Sequence, residues 1–220
     1  MSTDVTRDFA FGLPKAELHL HLEGTLEPDL KLALARKNGV DIGQSTVEEV
    51  QATYRFNDLT SFLAVYYPAM DVLQDEDDFY ALAAAYFQRA RANGVVRAEC
   101  FFDPQAHTSR GIEIDTVIRG YHRAVVEARE SGLSADLILC FLRDMSAQSA
   151  LETLQAALPY KHMFIGVGLD SDERDNPPTK FARVFELARE AGLHVTMHCD
   201  IDQVGSIDNI RAALTELGAQ

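Results

Sequence analysis

A chain of 220 residues, 47% hydrophobic and 25% charged, has the composition of a globular protein able to bury one sizeable core. Its 34 acidic and 20 basic residues leave a formal charge of −14, which excludes the basic stripe of a nucleic-acid partner and favours a small neutral or cationic ligand. No apolar run approaches the ~20 residues of a membrane helix, and no basic-then-apolar signal pattern opens the chain, so the sequence predicts no membrane partner and a cytoplasmic address. Cys100, Cys140 and Cys199 match neither a disulfide framework nor a zinc ribbon, and read as small buried hydrophobes of a reduced compartment.

Five short apolar or alternating runs predict strands over residues 16–22, 95–102, 136–142, 164–169 and 194–199. Helical patterns separate them. A capping box at Thr46 with Glu49 opens one helix, and further helices are predicted over 77–93, 113–131, 146–158, 179–190 and 206–217, four of them closing at Gly94, Gly132, Gly192 and Gly218. Alternation of strand and helix is the pattern of a parallel α/β protein in one domain, residues 1–220. The first connection is too long for one crossover helix, so a helical insert over about residues 25–94 is expected above the first strand. Its aromatics, Tyr54, Phe56, Phe62, Tyr66, Tyr67, Phe79 and Tyr80, fit either a lid over a flat apolar ligand or ordinary packing of small helices.

Strict alternation in the first strand places Glu17, His19, His21 and Glu23 on one face, and Ala16, Leu18, Leu20 and Leu22 on the other. Two histidines two apart on a strand can hold one metal ion; exposed or otherwise satisfied histidines are the alternative. The fifth strand repeats the theme, with His194, Thr196, His198 and Asp200 sharing one parity. Three histidines from two strand ends match the donor set of a catalytic zinc site, and the C-terminal strand ends of a barrel are where chemistry sits. In the fourth strand Gly166, Gly168 and Asp170 share a face, leaving either room for a ligand or a close strand–strand contact. Asp170 and Asp172 also read as simple loop carboxylates. In the second strand an inward Arg97 with Glu99 predicts a buried ion pair.

Lys15-Ala-Glu-Leu-His-Leu-His-Leu-Glu-Gly-Thr-Leu-Glu-Pro28 resembles the opening of the adenosine and adenine deaminases of the amidohydrolase superfamily. Residues 101–111, Phe-Phe-Asp-Pro-Gln-Ala-His-Thr-Ser-Arg-Gly, and Gly166-Val-Gly-Leu-Asp-Ser-Asp-Glu173 with Asn176-Pro-Pro178 resemble the adenine-type branch more closely. The PCxxC element of the cytidine-type zinc deaminases is absent. The resemblance implies a TIM (β/α)8 barrel, one Zn2+ held by His19, His21 and His198, and a purine substrate contacted by Glu23 and Ser171. It implies hydrolytic deamination of a 6-aminopurine base, adenine or an N6-substituted adenine, to hypoxanthine. Another amidohydrolase substrate class and a non-catalytic purine-binding paralogue are the alternatives, and a homo-oligomer is compatible with each.

Two departures from the family pattern stand out. The family's fifth strand ends His-Ala-Gly-Glu, with the Glu as proton donor, where this chain reads His198-Cys-Asp-Ile-Asp202 and Ile201 takes the acid's place. Asp200 or Asp202 is left to substitute, and strand parity favours Asp200 as the catalytic acid. The family pattern also continues through three more strands carrying an Asp ligand and a His, so these 220 residues represent five of eight βα units and are expected to be inactive alone.

Overall fold

The computed structural model describes residues 2–199 and 203–220. Five parallel strands, β1 (Lys15–His21), β2 (Val95–Phe102), β3 (Ser134–Leu142), β4 (Gly166–Asp170) and β5 (His194–Val195), lie side by side in chain order. Each parallel neighbour is reached through a crossover containing helix, the construction of a βα barrel wall. β5 pairs regularly over two residues, short of the predicted six. Its neighbourhood with β4 nevertheless continues, because the Thr196 amide donates to the Val167 carbonyl at 3.0 Å and the His198 amide to the Leu169 carbonyl at 2.8 Å.

Alternating residues of the sheet separate two apolar environments. Ala98, Cys100, Phe102, Leu137, Leu139, Phe141, Val167, Leu169 and Val195 belong to the large core shared with the helices. Phe101, Ile138 and Cys140 form a small cluster on the opposite, inner face. Gly166 and Gly168 pair with Ile138 and Cys140. A Cβ at Gly168 would lie 2.6 Å from Cys140 Sγ, and one at Gly166 would lie 2.9 Å from the His194 carbonyl oxygen. The glycines thus serve close strand packing rather than room for a ligand. On the same inner face, toward the strand N-termini, Arg97 pairs with Glu99 at 2.8 Å and with Asp136, an ion cluster that remains partly exposed.

β1 departs from strict alternation. Three residue steps from Glu17 to Leu20 run beside two steps from Ala98 to Cys100, so the register shifts by one. Glu17 consequently stands on the helix side, where its carboxylate accepts from the Tyr86 hydroxyl at 2.7 Å, and does not share the face of His19 and His21. Leu18 falls in the irregular stretch and is 55% exposed, while Leu22 is fully buried.

The segment between β1 and β2 contains α2 (Pro28–Asn38), α3 (Val47–Ala52), α4 (Leu59–Ala69) and α5 (Glu76–Ala92), following a short N-terminal helix α1 (Ser2–Gly12). The expected capping box at Thr46 and Glu49 starts α3, and Asp75 with Asp78 starts α5 in the same way. Buried Asp78 also accepts from Lys37 Nζ and Asn38 Nδ2, each at 2.7 Å, tying the end of α2 to the start of α5. α6 (Pro104–Thr108) and α7 (Ile114–Glu130) follow β2, α8 (Ala147–Ala157) follows β3, α9 (Ala182–Glu190) follows β4, and α10 (Ser206–Thr215) comes last. α5 packs along α7 so closely that a Cβ at Gly120 would meet the Glu76 carbonyl and Phe79 Cβ at 2.6 Å. Among the described residues no helix is long and apolar enough to cross a membrane.

Candidate metal centre

At the C-terminal ends of β1 and β5 three imidazoles converge. His19 Nε2 and His21 Nε2 each lie 2.9 Å from His198 Nε2. Phe101, projecting from β2, supports both β1 rings: it stacks on His21 at 5.0 Å between centroids and meets His19 edge-on at 5.2 Å. Burial, then the neighbouring His21 and His19, pushes His198 down to about 4, and burial with His21 lowers His19. At neutral pH His198 and His19 are therefore uncharged nitrogen donors.

The proton count of the cluster tests whether a metal fits. His21 Nδ1 lies 3.2 Å from Asp170 Oδ2, so a proton on Nδ1 points at that carboxyl and Nε2 is the nitrogen that faces the shared point. A proton on His198 Nε2 can point to only one of its two neighbours. Hydrogen bonds alone therefore leave the set unsatisfied, whereas a cation at the meeting point accepts all three lone pairs. Three imidazoles are a donor set suited to zinc.

Carboxylates stand behind the histidines. Burial, then Asp170 and Glu23, pushes the Asp103 carboxyl well above the usual range, and its hydrogen bond to Asp170 adds to this. Burial also pushes Asp170 up to about 7, so the two carboxyls share protons near neutral pH, and Asp170 Oδ2 faces His21 Nδ1. Glu23 sits deeper. Its fully buried Oε1 accepts from the Tyr121 hydroxyl at 3.0 Å, the Asp103 amide at 3.2 Å and His107 Nε2 at 3.2 Å. Arg110 Nη2 donates to His107 Nδ1 at 2.9 Å, which fixes the His107 proton on Nε2, toward Glu23.

A cavity of about 380 Å³ opens in front of the histidines, within the range of small-molecule sites. One wall is α4, contributing Leu59, Phe62, Leu63, Tyr66 and Tyr67; Asp103, Asp170, Ser171 and Glu173 also line the cavity, with the Tyr66 hydroxyl 3.4 Å from Asp103 Oδ2. Phe62 stacks on Tyr66 at 5.1 Å, and Tyr66 meets Tyr67 edge-on at 5.2 Å. The insert aromatics therefore divide. Phe62, Tyr66 and Tyr67 line the cavity, while Phe79 is buried in the core and Tyr80 bonds Glu127 on the outside.

The structure brings His19, His21, His198 and Ser171 to one cavity, with Gly24 lining it and Glu23 buried behind it. Ser171 is one of two non-glycine residues with positive φ among the described residues, at +74°, a strained conformation that clusters at ligand sites. Asp200, expected as the acid, lies outside the described residues, as do Ile201 and Asp202. Tyr66 and Tyr67, which the sequence offers as either lid or packing aromatics, line the cavity, as do Asp103 and Asp170. For Asp170 the signal was its parity with the inner-face glycines; Asp103 shares the parity of Phe101 one step past the strand.

A parallel βα wall with converging histidines at its C-terminal end is the architecture of the amidohydrolase TIM barrels. The zinc-bound amidohydrolase structure from Burkholderia ambifaria superposes with a TM-score of 0.87 at 28% identity, over 100% of this chain and 60% of that one. The sequence profile of the family described as adenosine deaminase matches residues 14–220, and the chain belongs to that family. It is 55% identical to an adenine deaminase of Hahella chejuensis over 87% of this chain and 58% of the relative. The crystal structure of adenine deaminase from Arthrobacter aurescens matches with a TM-score of 0.89 at 46% identity, over 94% of this chain and 63% of that chain. The chain thus spans roughly three fifths of the length of these relatives.

Proposed function

We propose that this chain carries the metal-binding part of a hydrolytic deaminase acting on a 6-aminopurine base, adenine or an N6-substituted adenine, with zinc held by His19, His21 and His198. The observation that carries this reading is the convergence of three imidazole Nε2 atoms whose protons cannot satisfy one another. The zinc-bound neighbour and the adenine deaminase relatives support it. Zinc, when bound, supplies a water deprotonated near neutral pH.

The remaining roles fall to the chain's own residues. Asp170 holds the His21 ring by its Nδ1 proton and increases the basicity of the donor nitrogen. Phe62 and Tyr66 offer flat faces to a purine, and the apolar α4 wall excludes bulk water from the reacting carbon. Asp200 protonates the ring nitrogen as water adds to the carbon bearing the amino group; ammonia or an amine then leaves and the 6-oxopurine remains. Ser171 contacts the ring from the β4 side. Glu23, clamped by Tyr121 and His107, positions the floor behind Gly24 on which the base rests.

A substrate panel of adenine, N6-alkyl adenines, adenosine and small amides, assayed on the protein at its full natural length, tests the reading. Turnover of the free bases at least about tenfold faster than adenosine is expected, since a pocket built around one ligand shape discriminates by that order. Preference for adenosine or for the amides contradicts the base assignment, and metal binding without turnover of any of them contradicts the enzymatic one.

A further inference from the structure

A buried charge at the end of β3 is unused by this chemistry. Arg143 follows the apolar run 137–142, and its side chain has no solvent exposure. A guanidinium is taken out of water at a cost that only well-placed acceptors offset. Arg143 Nη1 donates to the His198 carbonyl at 2.7 Å, and Nε donates to the Asn176 carbonyl at 3.0 Å. Glu173 Oε2 lies 3.6 Å from Nη1. The Arg143 amide donates to the Asp170 carbonyl at 3.0 Å. Its own carbonyl accepts from Lys180 Nζ at 2.9 Å, and the same ammonium reaches Asn176 Oδ1 at 2.8 Å.

These bonds gather the ends of three strands. His198 lies three residues past the regular pairing of β5, which ends at Val195. Its amide is fixed to Leu169 and its carbonyl to Arg143, so the peptide groups on both sides of the imidazole are held. The other arm of the guanidinium holds residues 171–176, which wall the cavity through Ser171 and Glu173.

We infer that Arg143 is a positioning residue of the metal centre: it fixes the His198 backbone so that Nε2 meets those of His19 and His21, and couples that ligand to the cavity wall of residues 171–176. The inference rests on the reading of the three histidines as a metal site. Lysine cannot replace it, because one ammonium lacks the planar fork that reaches two carbonyls in fixed directions.

The test compares Arg143→Lys with Lys180→Met in the protein at its full natural length, by chelator competition for zinc and by the visible spectrum of the cobalt-substituted form. Lys180→Met cuts the ties to Asn176 Oδ1 and to the Arg143 carbonyl but leaves the Arg143–His198 bond. Arg143→Lys is expected to weaken zinc binding about 10–100-fold and to change the cobalt spectrum, as loss of a group that orients a ligand does. Lys180→Met is expected to stay within about twofold of wild type. Wild-type affinity in Arg143→Lys, or equal weakening in both variants, overturns the inference. Should Arg143→Lys fail to fold by circular dichroism, Arg143→Gln takes its place, and unchanged affinity there overturns it equally. A wild-type protein that takes up no zinc contradicts instead the underlying metal reading, and the inference falls with it.

Discussion

At the scale of the residue, His21 uses both ring nitrogens, one toward Asp170 and one toward the shared point with His19 and His198. Asp170→Asn keeps the shape but replaces the carboxyl oxygen that faces the His21 Nδ1 proton with an amide. Zinc affinity is predicted to fall about 10–100-fold in this variant, measured by chelator competition; an unchanged affinity shows that the Nδ1 contact is incidental. His198 makes a second prediction. Its folded pKa, about 4, lies below the ordinary 6.5, so between these values the unfolded chain binds a proton that the folded, metal-free protein does not. Stability from this group is therefore complete above about pH 6.5 and is lost as the pH falls toward about 4. The melting temperature of chelator-stripped protein is expected to drop across this window, and His198→Asn to flatten the drop. An equally steep fall in the variant assigns the pH dependence to other groups.

At the scale of the element, the order of strands and helices was legible because apolar periodicity and caps are local signals, as Thr46, Gly94 and Gly132 illustrate. The two β1 histidines and His198 were legible for the same reason. The misplaced Glu17 shows the limit: a one-residue register shift depends on how β1 pairs with β2, and no pattern within β1 announces it. Arg143 is a different case. A charge directly after six apolar residues was a visible anomaly, but its partners at 176 and 198 are set by tertiary contacts. Gly168 is similar, since sequence leaves ligand room and close packing equally open, and the 2.6 Å approach to Cys140 Sγ decides it. Gly168→Ala is predicted to destabilise the fold by about 1–3 kcal/mol in denaturant titrations. Adding Cys140→Ala removes the obstructing sulfur and should recover part of that loss, as coupled neighbours do. Strict additivity of the two substitutions refutes the packing account.

At the scale of the whole molecule, the sheet runs in the order β1 to β5, and its first strand meets the segment after its last through His19, His21 and His198. These contacts make the proposed metal centre a link between the first and last strands of the sheet as well as the proposed site of chemistry. Anything that binds the folded form selectively also stabilises it, so zinc is expected to raise the melting temperature of the wild-type protein and not that of His198→Ala. The most direct measurement is elemental analysis of the purified full-length protein beside its His19→Ala and His198→Ala variants. One zinc per chain in the wild type, lost from both variants while their circular dichroism persists, is the predicted result. Stoichiometric zinc retained in folded His198→Ala would contradict the account at its centre.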